Sequence, residues 1–272
     1  AGGALVIADA MKGLLRVKGF GPRARVEVLA NAVDHPSKDD PVRYADGVIV
    51  ARSGMIYFTD ASRRFAPGEW GGTFEASILD IVEHQSSGRL LAYDPKTRIT
   101  HVVMHDLCFP NGLALSADER HLFVAETGEY RIWKIAVGAR ALDAHALESA
   151  PGELARVLID QLPGYPDNLM RGENGRLWAG LVKPRSAVAD ALAGIPWLRS
   201  LTLRLPRALW PVPAPYGHVF AFDEDGRVLT DLQDPNGLYP ETTGVTETAE
   251  RLYIQSLHAP VLGWLDKRAA GL

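Results

Sequence analysis

Apolar and polar positions alternate along most of this chain in short runs, and four stretches share one layout. DGVIVARSGMIYFTDAS from residue 46, NGLALSADERHLFVAET from 111, DNLMRGENGRLWAGL from 167 and GVTETAERLYIQSL from 244 each begin with a polar residue or Gly. A short apolar strand, a turn and a second strand centred on Tyr57, Phe123, Trp178 or Tyr253 follow. Two-residue alternation punctuated by Gly, Asn and Asp is the pattern of an antiparallel hairpin. ALVIADA at 4–10 reads as the second strand of a fifth copy. Further alternating pairs come after the hairpins, in 88–104, in 130–137 with 155–162, and in 217–232. Four strands per unit, repeated in series, predict an all-β chain folded as a β-propeller.

The aromatic centres are spaced more widely than four bare strands require, because inserts interrupt the units. Residues 61–87 contain the helix-like FEASILDIVEH, and 183–216 contain SAVADALAGIPWLRSLTLRLPRALW. Both leave a second strand and so emerge on one face of the disc. Their amphipathic pattern predicts helical covers over the channel mouth. The Arg and Leu residues around Trp197 and Trp210 also permit contact with a membrane surface through 183–216. Five copies are visible, the first without its initial strand and the last without its final one. The expectation is therefore one propeller domain over 1–272, six-bladed once an amino-terminal blade upstream of Ala1 is supplied.

Composition narrows the function classes. The chain has 272 residues, 47% of them hydrophobic, enough for one large core. A net charge of −4, from 29 basic and 33 acidic residues, comes without a long Lys/Arg run, which argues against a nucleic-acid partner. Cys108 is the single cysteine, so no intramolecular disulfide and no multi-thiolate metal centre can form, and it reads as a small core residue. No apolar run approaches membrane-spanning length, and the start of the chain has no targeting pattern. A soluble protein is expected, with a cytoplasmic location favoured.

Several local motifs carry no chemistry. GFGPRA at 19–24 has the spacing of a dinucleotide fingerprint but runs into the strand-like ARVEVLA where a helix is required. FDEDGRV at 222–228 starts like a calcium loop, lacks the later acidic ligand, and reads as an Asp-Gly hairpin turn. HExxH, paired CxxC and GxSxG are absent.

The polar residues that open the repeats are the candidates left: Asp46, Asn111, Asp167 and Asn168. In a propeller the first strand of each blade lines the channel, so these side chains converge at its mouth. Carboxylate and carboxamide oxygens gathered there suit Ca²⁺ or another divalent cation. The competing reading is that each residue caps its own turn.

LCFPNGLALSADERHLFVAETGEYRIWKI, LPGYPDNLMRGENGRLWAGLV, YADGVIVARSGMIYFTDAS and GHVFAFDEDGRVLTDLQDP together resemble the strictosidine synthase-like family, which includes adipocyte plasma membrane-associated protein. More distantly the chain resembles the paraoxonase and gluconolactonase groups, all six-bladed propellers. In those branches the Asn of the xNG motif and the acidic residue or Asp-Asn pair after the Pro-containing loop hold a catalytic divalent metal, usually calcium. The matching positions are Asn111, Asp167 and Asn168. Paraoxonases have Asn-Asp where this chain has Ala45-Asp46, and the histidine of their first-copy strand is Asp9 here. True strictosidine synthases have lost the metal ligands and use a Glu in the last repeat for a Pictet-Spengler condensation; Glu247 stands in that repeat.

Retained ligands outweigh one carboxylate. The resemblance implies a metal-dependent hydrolase of small-molecule lactones or esters, in which the cation polarises the carbonyl for attack by water. Glu247, then His258, then Asp9 are the candidate bases for the water proton. The alternatives are a condensing enzyme acting through Glu247 and a non-catalytic binding propeller.

Overall fold

The structure is a computed structural model, and it describes residues 3–19, 21–186, 190, 191, 198 and 214–272. Among the described residues five blade-like sheets follow one another along the chain, with a two-stranded pair, Ala32–Val33 and Asp40–Pro41, between the first and second. The first contains Ala4–Asp9, Gly13–Lys18 and Arg25–Ala30. In the second, Ala45–Val50, Ile56–Asp60, Gly88–Asp94 and Ile99–Leu107 form a meander, and Leu142–Asp143 adds to its outer edge in parallel. Pro110–Leu115, His121–Glu126, Arg131–Ala136 and Ala155–Ile159 make the third. Gly164–Arg171, Leu177–Pro184, Gly217–Phe222 and Val228–Asp234 make the fourth. Thr242–Glu247, Arg251–Ser256 and Gly263–Asp266 make the fifth. Consecutive strands pair in chain order, and the innermost strands of neighbouring sheets touch, as propeller blades do around a channel. The hairpins read from the sequence are the inner halves of these blades.

The core is laminated between blades. Leu14, Phe58 and Leu91 fill the layer between the first two sheets, and Leu107, Leu122 and Trp133 the next. Phe123, Leu177 and Phe222 lie between the third and fourth, and Trp178, Val245 and Leu252 between the fourth and fifth. Alternation explains this: an inner strand enclosed by two neighbouring blades buries both faces, so Pro110–Leu115 is apolar at nearly every position.

Near the axis the strands approach too closely for side chains. A Cβ on Gly47 would lie 2.4 Å from the Asn111 carbonyl oxygen, and one on Gly112 would lie 2.4 Å from the Asn168 Cα. The glycine after the opening polar residue is thus a packing requirement.

The helix-like stretch at 61–87 forms a helix at Thr73–Glu83, which ends at His84 in the left-handed conformation (φ 57°). It packs over the mouth through Ala76 against Tyr44, Phe65 and Phe109. The second insert, with Trp197 and Trp210, falls for the most part outside the described residues. A six-residue helix, Ala144–Ser149, capped by the Asp143 side chain on the Ala146 N–H (3.0 Å), was not legible in the sequence pattern. Among the described residues, no helix is long and apolar enough to cross a membrane.

The covering helix carries one buried acid. Asp80 accepts from Ser62 Oγ (2.5 Å), while its other oxygen is buried without a partner. Burial pushes its pKa up to about 7. Below about pH 4 the group is protonated both folded and unfolded and costs nothing. Between about 4 and 7 the unfolded chain ionises first, so stability falls. Asp80→Asn is expected to raise the melting temperature by about 5 °C at pH 8 and to change it little at pH 4. Equal shifts at both pH values, measured by calorimetry, would exclude a protonated Asp80.

Candidate active site at the channel mouth

The inner strands of the second to fifth sheets break their ladders at the same place. The pairing register shifts between Ala45 and Val48, between Pro110 and Leu113, between Pro166 and Leu169, and between Thr242 and Gly244. The residues inside those irregularities are Asp46-Gly47, Asn111-Gly112, Asp167-Asn168 and Thr243. A bulge re-aims the side chain it holds, and here it turns successive polar groups toward the channel. The backbone behind them is fixed: Thr59 Oγ1 donates to the Asn111 carbonyl (2.9 Å) and accepts from Gly47 N–H (2.8 Å), while Thr127 Oγ1 donates to the Pro166 carbonyl (2.6 Å).

A cavity of about 440 Å³ opens at this mouth, lined by Asp46, Asn111, Asp167 and His258 among others. Ala8, Ala10, Phe109 and Leu257 give it apolar walls, and Phe74 and Ile81 of the covering helix contribute to the wall as well. Tyr44 Oη donates to the Thr73 carbonyl (2.9 Å) and fastens the start of that helix to the mouth.

The polar floor is under electrostatic tension. Burial pushes the Asp46 carboxyl up to about 6. Burial, and then the neighbouring Asp46 charge, push Asp167 well above the usual carboxylate range, which a hydrogen bond from the Asn111 amide only partly offsets. The remaining Asn111 oxygen, Oδ1, is buried and has no partner. An orphaned carbonyl oxygen beside two desolvated carboxylates costs free energy that a bound cation would recover, so this donor set fits a hard divalent ion. Turn capping does not account for the three groups.

The other sequence candidates separate. Asn168 is half-buried and does not line the cavity; it occupies the position that other inner strands give to Gly47, Gly112 and Gly244, and a Cβ on Gly244 would sit 3.2 Å from its Cβ. It fills space between strands, so the expected Asp167–Asn168 pair does not face the cavity together. Asp9 is corrected too: its Oδ1 accepts from Met11 N–H (3.0 Å) and Lys12 N–H (2.9 Å), closing its own turn, while flanking Ala8 and Ala10 face the cavity.

Glu247 is the largest correction. It ends the inner strand that starts at Thr242, roughly 16 Å away at about 3.3 Å per residue. Its buried carboxylate accepts from Trp178 Nε1 (2.8 Å) and Glu173 N–H (3.0 Å), and pairs with Lys267 (2.7 Å) and with Arg176. Burial opposes ionisation, but these donors win and hold the pKa at about 2. Such a group cannot accept a water proton near neutrality.

The carboxylate at the mouth end of that strand is Glu241, which sequence reasoning passed over. It binds Lys183 and His258 Nδ1. Burial pushes it up, yet those two partners hold it below its usual range. His258 itself is exposed and meets the Phe74 ring edge-on at 6.4 Å. The signal was the place of Glu241 in YPETTGV, directly before the strand.

The family described as Strictosidine synthase matches residues 46–139, the span from Asp46 through Asn111 and the third blade's hairpin. Protein STRICTOSIDINE SYNTHASE-LIKE 13 of Arabidopsis thaliana is 34% identical over 241 residues, covering 86% of this chain and 54% of that protein. The chain belongs to the strictosidine synthase-like family. Human adipocyte plasma membrane-associated protein is 29% identical over 277 residues, covering 98% of this chain and 61% of that one. The chain therefore spans between half and two thirds of these relatives' lengths. Among solved structures, a gluconolactonase from Xanthomonas campestris superposes with TM-score 0.60 at 21% identity, over 96% of this chain and 67% of the other. Regucalcin, a calcium-binding protein from Agrobacterium tumefaciens, gives TM-score 0.57 at 16% identity, over 99% and 68%. These structural likenesses establish the propeller fold.

Proposed function

We propose that the channel mouth is the active site of a divalent-metal-dependent hydrolase of small-molecule lactones or esters. The observation that carries this reading is the unpartnered Asn111 Oδ1 beside the desolvated carboxylates of Asp46 and Asp167. The gluconolactonase and calcium-binding names of the structural neighbours agree with it.

Asp46, Asn111 and Asp167 would hold the cation. Bound there, it supplies Lewis-acid polarisation of a carbonyl. The apolar walls take the hydrocarbon part of the substrate and exclude water from all but the reacting position. His258 is the base: Glu241 accepts its Nδ1 proton, which leaves Nε2 with a lone pair to take the proton of an attacking water. Glu241 then steadies the imidazolium. With Glu247 locked in ion pairs far along its strand, the condensing-enzyme alternative loses the base assigned to it.

The test is hydrolysis of a panel of aliphatic lactones and aryl esters by the protein before and after chelation. Activity is expected to vanish in chelator and return with Ca²⁺. His258→Gln should lower kcat about 10²–10⁴-fold with unchanged metal affinity. Turnover that persists in chelator, or that ignores His258, sinks the respective half of the proposal.

A further inference from the structure

Beside the mouth, three side chains of different chemistry meet. His84 caps the covering helix, Cys108 lies in the loop before the third blade's inner strand, and Glu129 belongs to the single turn after that blade's second strand. One ligand atom from each, imidazole nitrogen, thiol sulfur and carboxylate oxygen, lies within 4.8 Å of the other two. His84 Nε2 is 2.9 Å from a Glu129 carboxylate oxygen and 3.1 Å from the Gly128 carbonyl oxygen. A Cβ on Gly128 would fall 2.2 Å from the Cys108 sulfur, so only glycine lets the turn close on the thiol.

We propose that His84, Cys108 and Glu129 form a second metal site, selective for Zn²⁺ and separate from the oxygen-lined floor. A thiolate and an imidazole favour a borderline cation over Ca²⁺ or Mg²⁺, which take oxygen ligands. Ligand atoms of a tetrahedral zinc centre lie roughly 3.3–3.8 Å apart, as follows from bonds of about 2.0–2.3 Å, so the wider separations need to close by at most about 1–1.5 Å while the His84–Glu129 pair, at 2.9 Å, opens slightly. On binding, the cation displaces the thiol proton to solvent, and the His84 Nε2 proton, which Glu129 and the Gly128 carbonyl accept in the metal-free protein, is exchanged through solvent to Nδ1, which frees the Nε2 lone pair for the metal. The role is to brace the cavity wall: Ile81, Phe109 and Thr127 line the cavity, and each lies within three residues of one of the ligands. Zinc here would tie the helix end to the two loops by metal bonds, in addition to the His84–Glu129 contact.

The test uses Co²⁺ as a spectroscopic substitute added to the chelator-treated full chain. One equivalent is expected to give a near-ultraviolet sulfur-to-cobalt band, displaced by Zn²⁺ but not by excess Ca²⁺. Asp167→Ala should keep the band, Cys108→Ser should lose it, and His84→Ala and Glu129→Gln should each weaken cobalt affinity at least about tenfold. His84→Ala keeps the test valid if the buried Cys108→Ser variant fails to fold, because His84 is partly exposed. Absence of the band in the wild type overturns the proposal, and so does a band of unchanged affinity in both His84→Ala and Glu129→Gln, which would mean the thiol binds cobalt alone.

Discussion

Asp167→Ala is expected to lower divalent-cation affinity at the channel mouth by at least about 100-fold and to bring hydrolysis to background. Groups that merely support a ligand already contribute about 10–100-fold, and Asp167 would be a charged ligand itself. Its second effect separates a metal ligand from a structural acid. Without metal, Asp167 and Asp46 are two desolvated carboxylates of like charge, and removing one relieves both the burial and the repulsion. In chelator the variant should therefore melt no lower than the wild type. Asn168→Ala should affect affinity much less, because Asn168 does not line the cavity. Isothermal titration with Ca²⁺ and calorimetry in chelator decide the matter. Wild-type affinity in Asp167→Ala would end the metal assignment, and a large loss of stability in chelator would make Asp167 a structural residue.

Glu247→Ala should do the opposite. The carboxylate joins Arg176 and Trp178 of the fourth blade to Lys267 near the chain's end, and its removal leaves two cations facing a buried gap. Breaking a buried pair of this kind costs about 3–5 kcal/mol. For a chain of this size that corresponds to a fall in melting temperature on the order of 10 °C. Cation affinity at the mouth should stay unchanged. The wild type carries a matching pH signature. Because the folded pKa is about 2, below the ordinary Glu value of 4.5, the stabilisation is full above the ordinary value and is lost as pH falls toward 2. A melting temperature unaltered by Glu247→Ala would show that the cluster contributes nothing, and a loss of cation binding would return Glu247 to the site.

The blades were legible because their signal is local. Alternation over five or six residues, with Gly or Asn-Gly turns between runs, specifies a hairpin wherever it occurs, and its recurrence specifies the propeller. The helix at Thr73–Glu83 announced itself by a change of period. Leu142–Asp143 was not legible: two residues carry no periodicity, and their strand exists only because the second blade offers an open edge.

Functional residues divide along the same line. The sequence by itself determined which strands line the channel and that Asp46, Asn111 and Asp167 open them, since both follow from position within a repeated unit. Only the tertiary structure decided which acids are starved of water and which are satisfied. Glu241 and Glu247 flank the same strand and look alike in a string of letters, yet one meets His258 at the mouth and the other meets Arg176 and Lys267 at the far end. The meeting of His84, Cys108 and Glu129 likewise depends on a helix folding back over a blade. Burial and charge pairing depend on groups far apart in the chain, and no local pattern of polarity encodes which of them will share a low-dielectric space.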